Sequence, residues 1–239
     1  MWTRESLKSE AKNTFATCRG NSILVCLIVG LVSGVGSGAS GRSSSDMSGG
    51  SMSVEAAIAI LVIALGASVI TIALQILVTN LLCVGSSHFF LSSRVKPSSV
   101  EMLLFPFKNG RYGKVLGAMF MTNLFIFLWS LLFVIPGIYK AYQYRMVPYL
   151  LAENPEMGYK RAIELSKAMM DGEKMNAFVL DLSFLGWYIL SICTCGILAI
   201  VYVSPYQEHT NAGLYIALRE KAVNSGLVNP AELYAVVQG

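Results

Sequence analysis

The sequence predicts an all-α fold, a polytopic membrane helical bundle with six transmembrane helices and amphipathic interfacial helices. Three observations predict it. The 239 residues are 54% hydrophobic and only 13% charged, whereas soluble domains carry about 25% charged residues. Apolar segments long enough for a bilayer recur along the chain, and basic residues gather between them. The size suits one integral membrane domain over residues 1–239.

The chain begins with a predicted amphipathic helix over residues 1–19. Its apolar residues recur every four positions from Leu7 to Phe15, and basic residues lie around the axis from that stripe. Such a helix suits the surface of an anionic cytoplasmic leaflet. A soluble surface helix has a similar pattern, but the apolar span that follows at once favours the interfacial location.

The first predicted span covers residues 21–35. Residues 36–53 are rich in Gly and Ser and have no means of burying a core, so they are predicted to be a flexible extracytoplasmic loop. A cleaved signal peptide is the rival interpretation of this region, because small residues follow the apolar stretch near Ala39. The second apolar stretch, 54–91, would be roughly 55 Å long against a hydrocarbon core of about 30 Å. We therefore expect it to bend or to continue into the interface, near Asn80.

Two basic segments set the orientation of the remaining spans. Residues 94–114 contain several Lys and Arg but a single acidic residue, and we place them in the cytoplasm. The third span follows over 115–135. A cytoplasmic amphipathic helix is predicted over 153–173, with Asn154 as its N-cap, so residues 137–152 form a returning fourth span.

The last two spans complete a layout with both termini in the cytoplasm. The fifth span covers residues 175–192, and the sixth begins near residue 197. Five spans would place one of the two basic segments outside, against the distribution that membrane proteins show. We therefore expect a multi-pass protein.

Three charged residues lie deep inside the predicted spans, whereas Lys140 lies near the outer end of the fourth span and needs no partner. Arg145 lies about 12 to 14 Å from the outer turn, Asp181 about 18 Å and Glu208 about 19 Å. A lone charge at mid-bilayer costs between about 3 and more than 10 kcal/mol, so we expect Arg145 to pair with Asp181 or Glu208. Together with His209 they form a predicted intramembrane polar cluster. Two roles remain open: an ion pair that fixes helix register, or a pocket for a lipid headgroup, an ion or a proton.

The sequence contains no signature of catalysis. It has no H-E-x-x-H motif, no Gly-rich phosphate loop, no nucleophile with a base and an orienting group, and no acidic cluster for a metal. Its five cysteines lack metal-ligand spacing. The tyrosines between positions 139 and 149 are interpreted as interface and packing aromatics. We expect a protein that is not an enzyme, uses no cofactor or metal, and binds no nucleic acid.

Basic residues beside the spans predict contact with anionic lipid headgroups. The candidates are Arg4, Lys8, Lys12, Arg94, Lys96, Lys108, Arg111 and Lys114. The leading hypothesis is a protein that binds membrane lipids or a membrane protein partner, with a homo-oligomer also open. The alternative is a small transporter or permease-like subunit, which the intramembrane charges and a partial echo between residues 129–149 and 187–206 favour.

Several segments resemble a known family. They include "LKSEAKNTF", "LWSLLFVIPGIYKAYQYRMVPYLLAENPE", "AIELSKAMMDGEKMNAFVLDLSFLGW" and "CGILAIVYVSPYQEHTNAGLY". The chain is similar, over nearly its whole length, to the domain-of-unknown-function 975 (DUF975) family of bacterial integral membrane proteins. The resemblance implies six spans in the bacterial plasma membrane and a relation to membrane domains of some glycerophosphodiester phosphodiesterases. It brings no established activity and no catalytic residues. Where relatives often have Asn-Pro and a later Arg, this chain has Asn80-Leu81 and His88, which weakens the expectation of a sharp break.

Overall fold

A computed structural model describes residues 2–38, 54–96, 98–110, 112–194 and 196–233. The regular structure of these residues is helical throughout. The α-helices are α1 (Arg4–Thr17), α2 (Arg19–Gly38), α3 (Val54–Ser92), α4 (Tyr112–Leu132), α5 (Val134–Gln143), α6 (Val147–Glu153), α7 (Tyr159–Met169), α8 (Lys174–Cys193) and α9 (Ser204–Asn224). The shorter elements are 3₁₀ segments at Val100–Gly110 and Pro230–Glu232 and a π-helical turn at Ala199–Val203. Most of the predicted Gly/Ser loop lies outside the described residues.

The N-terminal helix α1 packs against the last long helix, α9. Its apolar stripe is buried there, with Leu7 4%, Ala11 0% and Phe15 3% exposed. The Tyr206 hydroxyl donates to the backbone carbonyl of Lys8 at 3.4 Å. Helix α2 then leaves α1 at an angle of 98°. Because protein covers the apolar stripe, any contact of α1 with lipid falls to its basic side chains.

Helix α3 is continuous over 39 residues. The sequence predicts that this stretch bends or continues into the interface near Asn80, and the helix has no break there. Leu81 keeps the N–H that a proline at this position would have removed. Further along, Gly85 allows the first 3₁₀ segment to pack directly on the helix. A Cβ atom at this position would lie 2.1 Å from the carbonyl oxygen of Leu103.

The predicted fourth span is divided into α5 and α6. Residues 144–146 form a turn between them. Pro148 explains the division, because it lacks the N–H that would bond to the carbonyl of residue 144, while the first turn of a new helix tolerates it. Arg145 therefore lies in a turn rather than in the middle of a helix.

The predicted cytoplasmic helix is shorter than expected. The structure has α7 over Tyr159–Met169, and the prediction that Asn154 caps its start is wrong. Asn154 follows the end of α6 in an extended conformation. Its side chain accepts from the Glu156 N–H at 3.0 Å and donates to the Glu232 carbonyl at 3.1 Å. The residue thus ties the C-terminal segment to the α6–α7 connection instead of starting a helix.

Apolar side chains remain exposed along the first half of α3 and the second halves of α4 and α8. Within the described residues, three helical segments are long and apolar enough to cross a bilayer: Leu74–Ser92, Tyr112–Leu132 and Lys174–Cys193. The bent pair of α1 and α2 is a fourth candidate if it crosses as one unit. These helices are compatible with a membrane location. The count of six spans and the cytoplasmic location of both termini stay predictions.

Candidate functional site

Arg145 and Asp181 form a bidentate ion pair between the α5–α6 turn and α8. Arg145 Nη1 lies 2.6 Å from Asp181 Oδ2, and Nη2 lies 2.7 Å from Oδ1. The two side chains are 15% and 26% exposed. Two parallel hydrogen bonds fix the relative orientation of the two groups as well as their distance. Of the two acidic partners expected from the sequence, Asp181 is the one bonded to Arg145.

Two further side chains belong to this polar cluster. Arg145 Nη2 also donates to Asn211 Oδ1 at 2.8 Å, and the Tyr142 hydroxyl donates to Asp181 Oδ2 at 2.8 Å. The cluster therefore joins α5, the turn after it, α8 and α9. The sequence analysis treated Tyr142 as an interface or packing aromatic and did not single out Asn211. Asn211 carries a usable signal, since it lies three residues after Glu208 and so on the same helix face.

Glu208 forms the second part of the polar cluster. Its Oε2 accepts a hydrogen bond from the Tyr149 hydroxyl at 3.3 Å, and the charge of Arg145 acts on it through space. The Tyr149 ring stacks on that of Tyr215, with centroids 5.3 Å apart. The Tyr215 hydroxyl in turn donates to Glu153 at 3.0 Å. Polar groups thus continue from the cluster to the end of α6.

His209 follows Glu208 in the chain but faces a different part of the protein. Its Nε2 lies 2.9 Å from Ser22 Oγ on α2, and its ring meets Phe90 edge-on at 4.9 Å. The residue is fully buried. Successive side chains on a helix point about 100° apart, so the structure does not bring His209 to the polar cluster.

Arg94, a predicted headgroup residue, makes its contacts inside the protein. Its Nη1 lies 3.0 Å from Glu10 Oε2, and its side chain is 10% exposed. Its Nη2 donates to the backbone carbonyl of His209 at 2.7 Å. Burial lowers the pKa of Arg94, and the hydrogen bond with Glu10 opposes that shift. A Cβ at Gly213 would lie 2.3 Å from Nη2, so the glycine makes room for the guanidinium on α9.

The other predicted headgroup residues differ in exposure. Those that are exposed and make no ion pair with a described residue are Arg4, Lys12 and Lys96. Lys8 is half-buried, with its ammonium 4.5 Å from the centroid of the Phe184 ring. Lys114 is exposed and lies 3.4 Å from Glu156. Outside the described part of the chain lie Arg111 and the side chain of Lys108.

The chemistry of the polar cluster is that of charge pairing and hydrogen bonding. It brings together one guanidinium, two carboxyl groups, two phenols and one amide. Across the described residues, no group of three or more His, Cys, Asp or Glu side chains suits a metal ion. The arrangement fits both roles left open by the sequence, the fixing of helices and the binding of a small charged group.

A protein-family model matches part of the chain. The sequence model described as "Protein of unknown function (DUF975)" matches residues 131–222. The resemblance predicted from the sequence is thereby confirmed over this part of the chain, which contains every residue of the polar cluster. No curated protein and no solved structure gives a significant match.

Proposed function

We propose that this chain, whose residues 131–222 match a family of unknown function, is a non-enzymatic, multi-pass protein of the bacterial plasma membrane. In this proposal several of its helices cross the bilayer and both termini lie in the cytoplasm. The 2.8 Å hydrogen bond between Lys174 and Tyr139 does not fit the six-span layout, which would keep these two residues on opposite sides of the bilayer. Its function is to bind anionic lipid, or a membrane protein partner, at the cytoplasmic face.

The observation that carries this proposal is that Arg4, Lys12 and Lys96 are exposed, while the apolar stripe of α1 is buried. Helix α1 holds its position through its apolar stripe, so its exposed cations are not needed to dock it. Basic residues close to an anionic membrane surface contribute about 1 kcal/mol each. The exposed apolar halves of α3, α4 and α8 supply the surface that faces acyl chains.

Titration of the full-length protein with fluorescent lipid tests the proposal. The protein is held in neutral detergent micelles, and labelled phosphatidylglycerol is compared with labelled phosphatidylcholine. The wild type is expected to prefer the anionic lipid, and Arg4→Gln, Lys12→Gln and Lys96→Gln together to weaken that binding about tenfold or more. High salt should reduce the preference, because exposed charges are screened. Equal affinity of the wild type for both lipids would refute the proposal.

A second candidate function, a small transporter, is favoured by one observation. Glu208 is held by a phenol at 3.3 Å near a guanidinium already paired to Asp181. A carboxyl group in such surroundings suits the uptake and release of a proton or cation. Transport is expected to appear as pH-dependent flux in proteoliposomes that Glu208→Gln abolishes. Flux that the variant leaves intact would remove this role from Glu208.

A further inference from the structure

Two lysines from different helices converge on one tyrosine ring near the α5–α7 contact. The Nζ atoms of Lys140 on α5 and Lys167 on α7 lie 5.9 and 5.7 Å from the centroid of the Tyr144 ring. Tyr144 is 5% exposed. The backbone beside the ring is tied to α7, because Ser166 Oγ, next to Lys167, donates to the backbone carbonyl of Gln143 at 2.9 Å. Lys140 and Lys167 thus lie near one buried tyrosine ring, where α5 and α7 are joined by a hydrogen bond.

A third lysine and two more aromatic rings lie beside Lys140 and the Tyr144 ring. Lys174 Nζ, at the start of α8, donates to the Tyr139 hydroxyl at 2.8 Å. Lys140 Nζ lies 5.1 Å from the centroid of the Trp129 ring. Both Tyr139 and Trp129 are exposed. We refer to Lys140, Lys167 and Lys174 with Tyr139 and Tyr144 as the lysine–tyrosine patch.

The positive charge of the patch is not balanced by nearby carboxylates. Among the described residues, none places a carboxylate within ion-pair distance of Lys140 or Lys167. Lys174 has Asp171 at 3.4 Å, and that carboxylate is 82% exposed. Lys140 Nζ is bonded to the amide oxygen of Gln143 at 3.0 Å, which carries no charge. Cations that converge without a counter-charge repel each other, and an anion between them offsets that repulsion.

The surroundings of the patch are apolar. Leu132 is 64%, Ile138 51% and Met175 71% exposed, and all three belong to the helices that carry the patch or end beside it. Exposed tyrosine and tryptophan next to lysine are typical of the level at which lipid headgroups lie. An anion bound here would therefore carry an apolar body that extends over these side chains.

We propose that the lysine–tyrosine patch binds the phosphate of an anionic phospholipid headgroup. This site, which depends on the lipid binding proposed above, is separate from the exposed cations of α1. Lys140 and Lys167 contact the phosphate from two helices, and Lys174 with its tyrosine partner borders the headgroup. Charge-assisted hydrogen bonds from two ammonium groups to one phosphate are stronger than bonds from neutral donors.

The same fluorescent lipid titration of the full-length protein tests the site. The double variant Lys140→Gln, Lys167→Gln is expected to raise the apparent Kd for phosphatidylglycerol about tenfold. The matched control is Lys160→Gln, an exposed lysine on α7 that should leave the Kd unchanged. The single variant Lys167→Gln, with an intermediate Kd, serves if the double variant unfolds. An unchanged Kd in the folded variants overturns the site.

Two further arms of the titration distinguish a phospholipid site from a free phosphate site and from the cations near α1. Inorganic phosphate should not displace the labelled lipid, and displacement at millimolar concentration would show that the patch is a site for free phosphate instead. If the variants of Arg4, Lys12 and Lys96 weaken binding while the lysine–tyrosine variants do not, the patch assignment fails and lipid binding stands. If the wild type shows no anionic preference, both proposals fail together.

Discussion

Replacement of Asp181 by Asn is the most informative perturbation of the polar cluster. The change keeps the volume of the side chain but removes its charge, and its amide would face the donors of Arg145. Asp181 accepts three hydrogen bonds, two from Arg145 and one from Tyr142. The guanidinium, 15% exposed, then has only neutral acceptors in the cluster, the oxygen of Asn211 and at most one amide oxygen at position 181.

The expected cost follows from two bounds. Removal of one partner of a fully buried ion pair costs about 3–5 kcal/mol, and interhelical hydrogen bonds in membrane proteins contribute about 0.6 kcal/mol each on average. Since Asp181 is 26% exposed, we expect the free energy of unfolding to fall by about 2–3 kcal/mol, between these bounds.

Unfolding by SDS in mixed micelles, followed by tryptophan fluorescence, measures this difference. The matched control is Asp171→Asn, since Asp171 also pairs with a basic residue, Lys174, but is 82% exposed. Exposed pairs of this kind contribute about 0–1 kcal/mol. The joint replacement Arg145→Met, Asp181→Leu should recover most of the loss, because no unpaired charge remains. If Asp181→Asn costs no more than Asp171→Asn, the pair does not hold the helices and the reasoning is refuted.

Two further predictions concern other parts of the fold. Gly85→Ala places a Cβ 2.1 Å from the Leu103 carbonyl oxygen and should lower stability in the same assay by about 1–3 kcal/mol; Gly66→Ala, on the same helix with nothing within 4 Å, should not. The hydrogen bond from Arg161 lowers the pKa of Glu232, and burial only partly opposes it. The contribution of Glu232 is therefore complete above about pH 4.3, its unfolded pKa, and is lost as the pH falls through the lower folded value. Hydrogen exchange should show weaker amide protection of the C-terminal segment under those acidic conditions, and Glu232→Gln should show it at every pH; a variant that behaves like the wild type would contradict the prediction.

The helical fold and the pairing of Arg145 could be predicted from the sequence. Both depend on the cost of placing polar groups in an apolar environment, and the order of apolar and charged residues along the chain shows where that cost arises. Long apolar segments predict helices, and a charged residue within such segments predicts an opposite charge at similar depth. That rule did not choose between Asp181 and Glu208, since the choice depends on how α8 and α9 rotate about their axes. It also placed His209 in the cluster. On α9, however, the side chain of His209 points about 100° away from that of Glu208 and so faces α2.

The boundaries of elements were harder to predict because tertiary contacts decide them. Asn154 is of a residue type that often caps helices, but its side chain instead donates to the backbone carbonyl of Glu232, far along the chain. The stripe of α1 has the pattern of a surface-seeking helix, and no local signal distinguishes a membrane surface from the face of α9. Arg94 likewise reads as a surface cation, and its burial depends on the absence of a Cβ at Gly213.

The packing of α1 on α9 also constrains the order in which parts of the protein fold during synthesis. The hydrogen bond between Tyr206 and Lys8 joins residues 198 positions apart. At about 5–20 residues per second, the ribosome exposes α1 on the order of ten seconds or more before α9 exists. During that interval Leu7, Ala11 and Phe15 have no permanent partner, so a nascent chain stalled before residue 204 keeps its first helix uncovered. Helix α1 is therefore among the first helices to be synthesised, but it reaches its final packing only after α9 has been made.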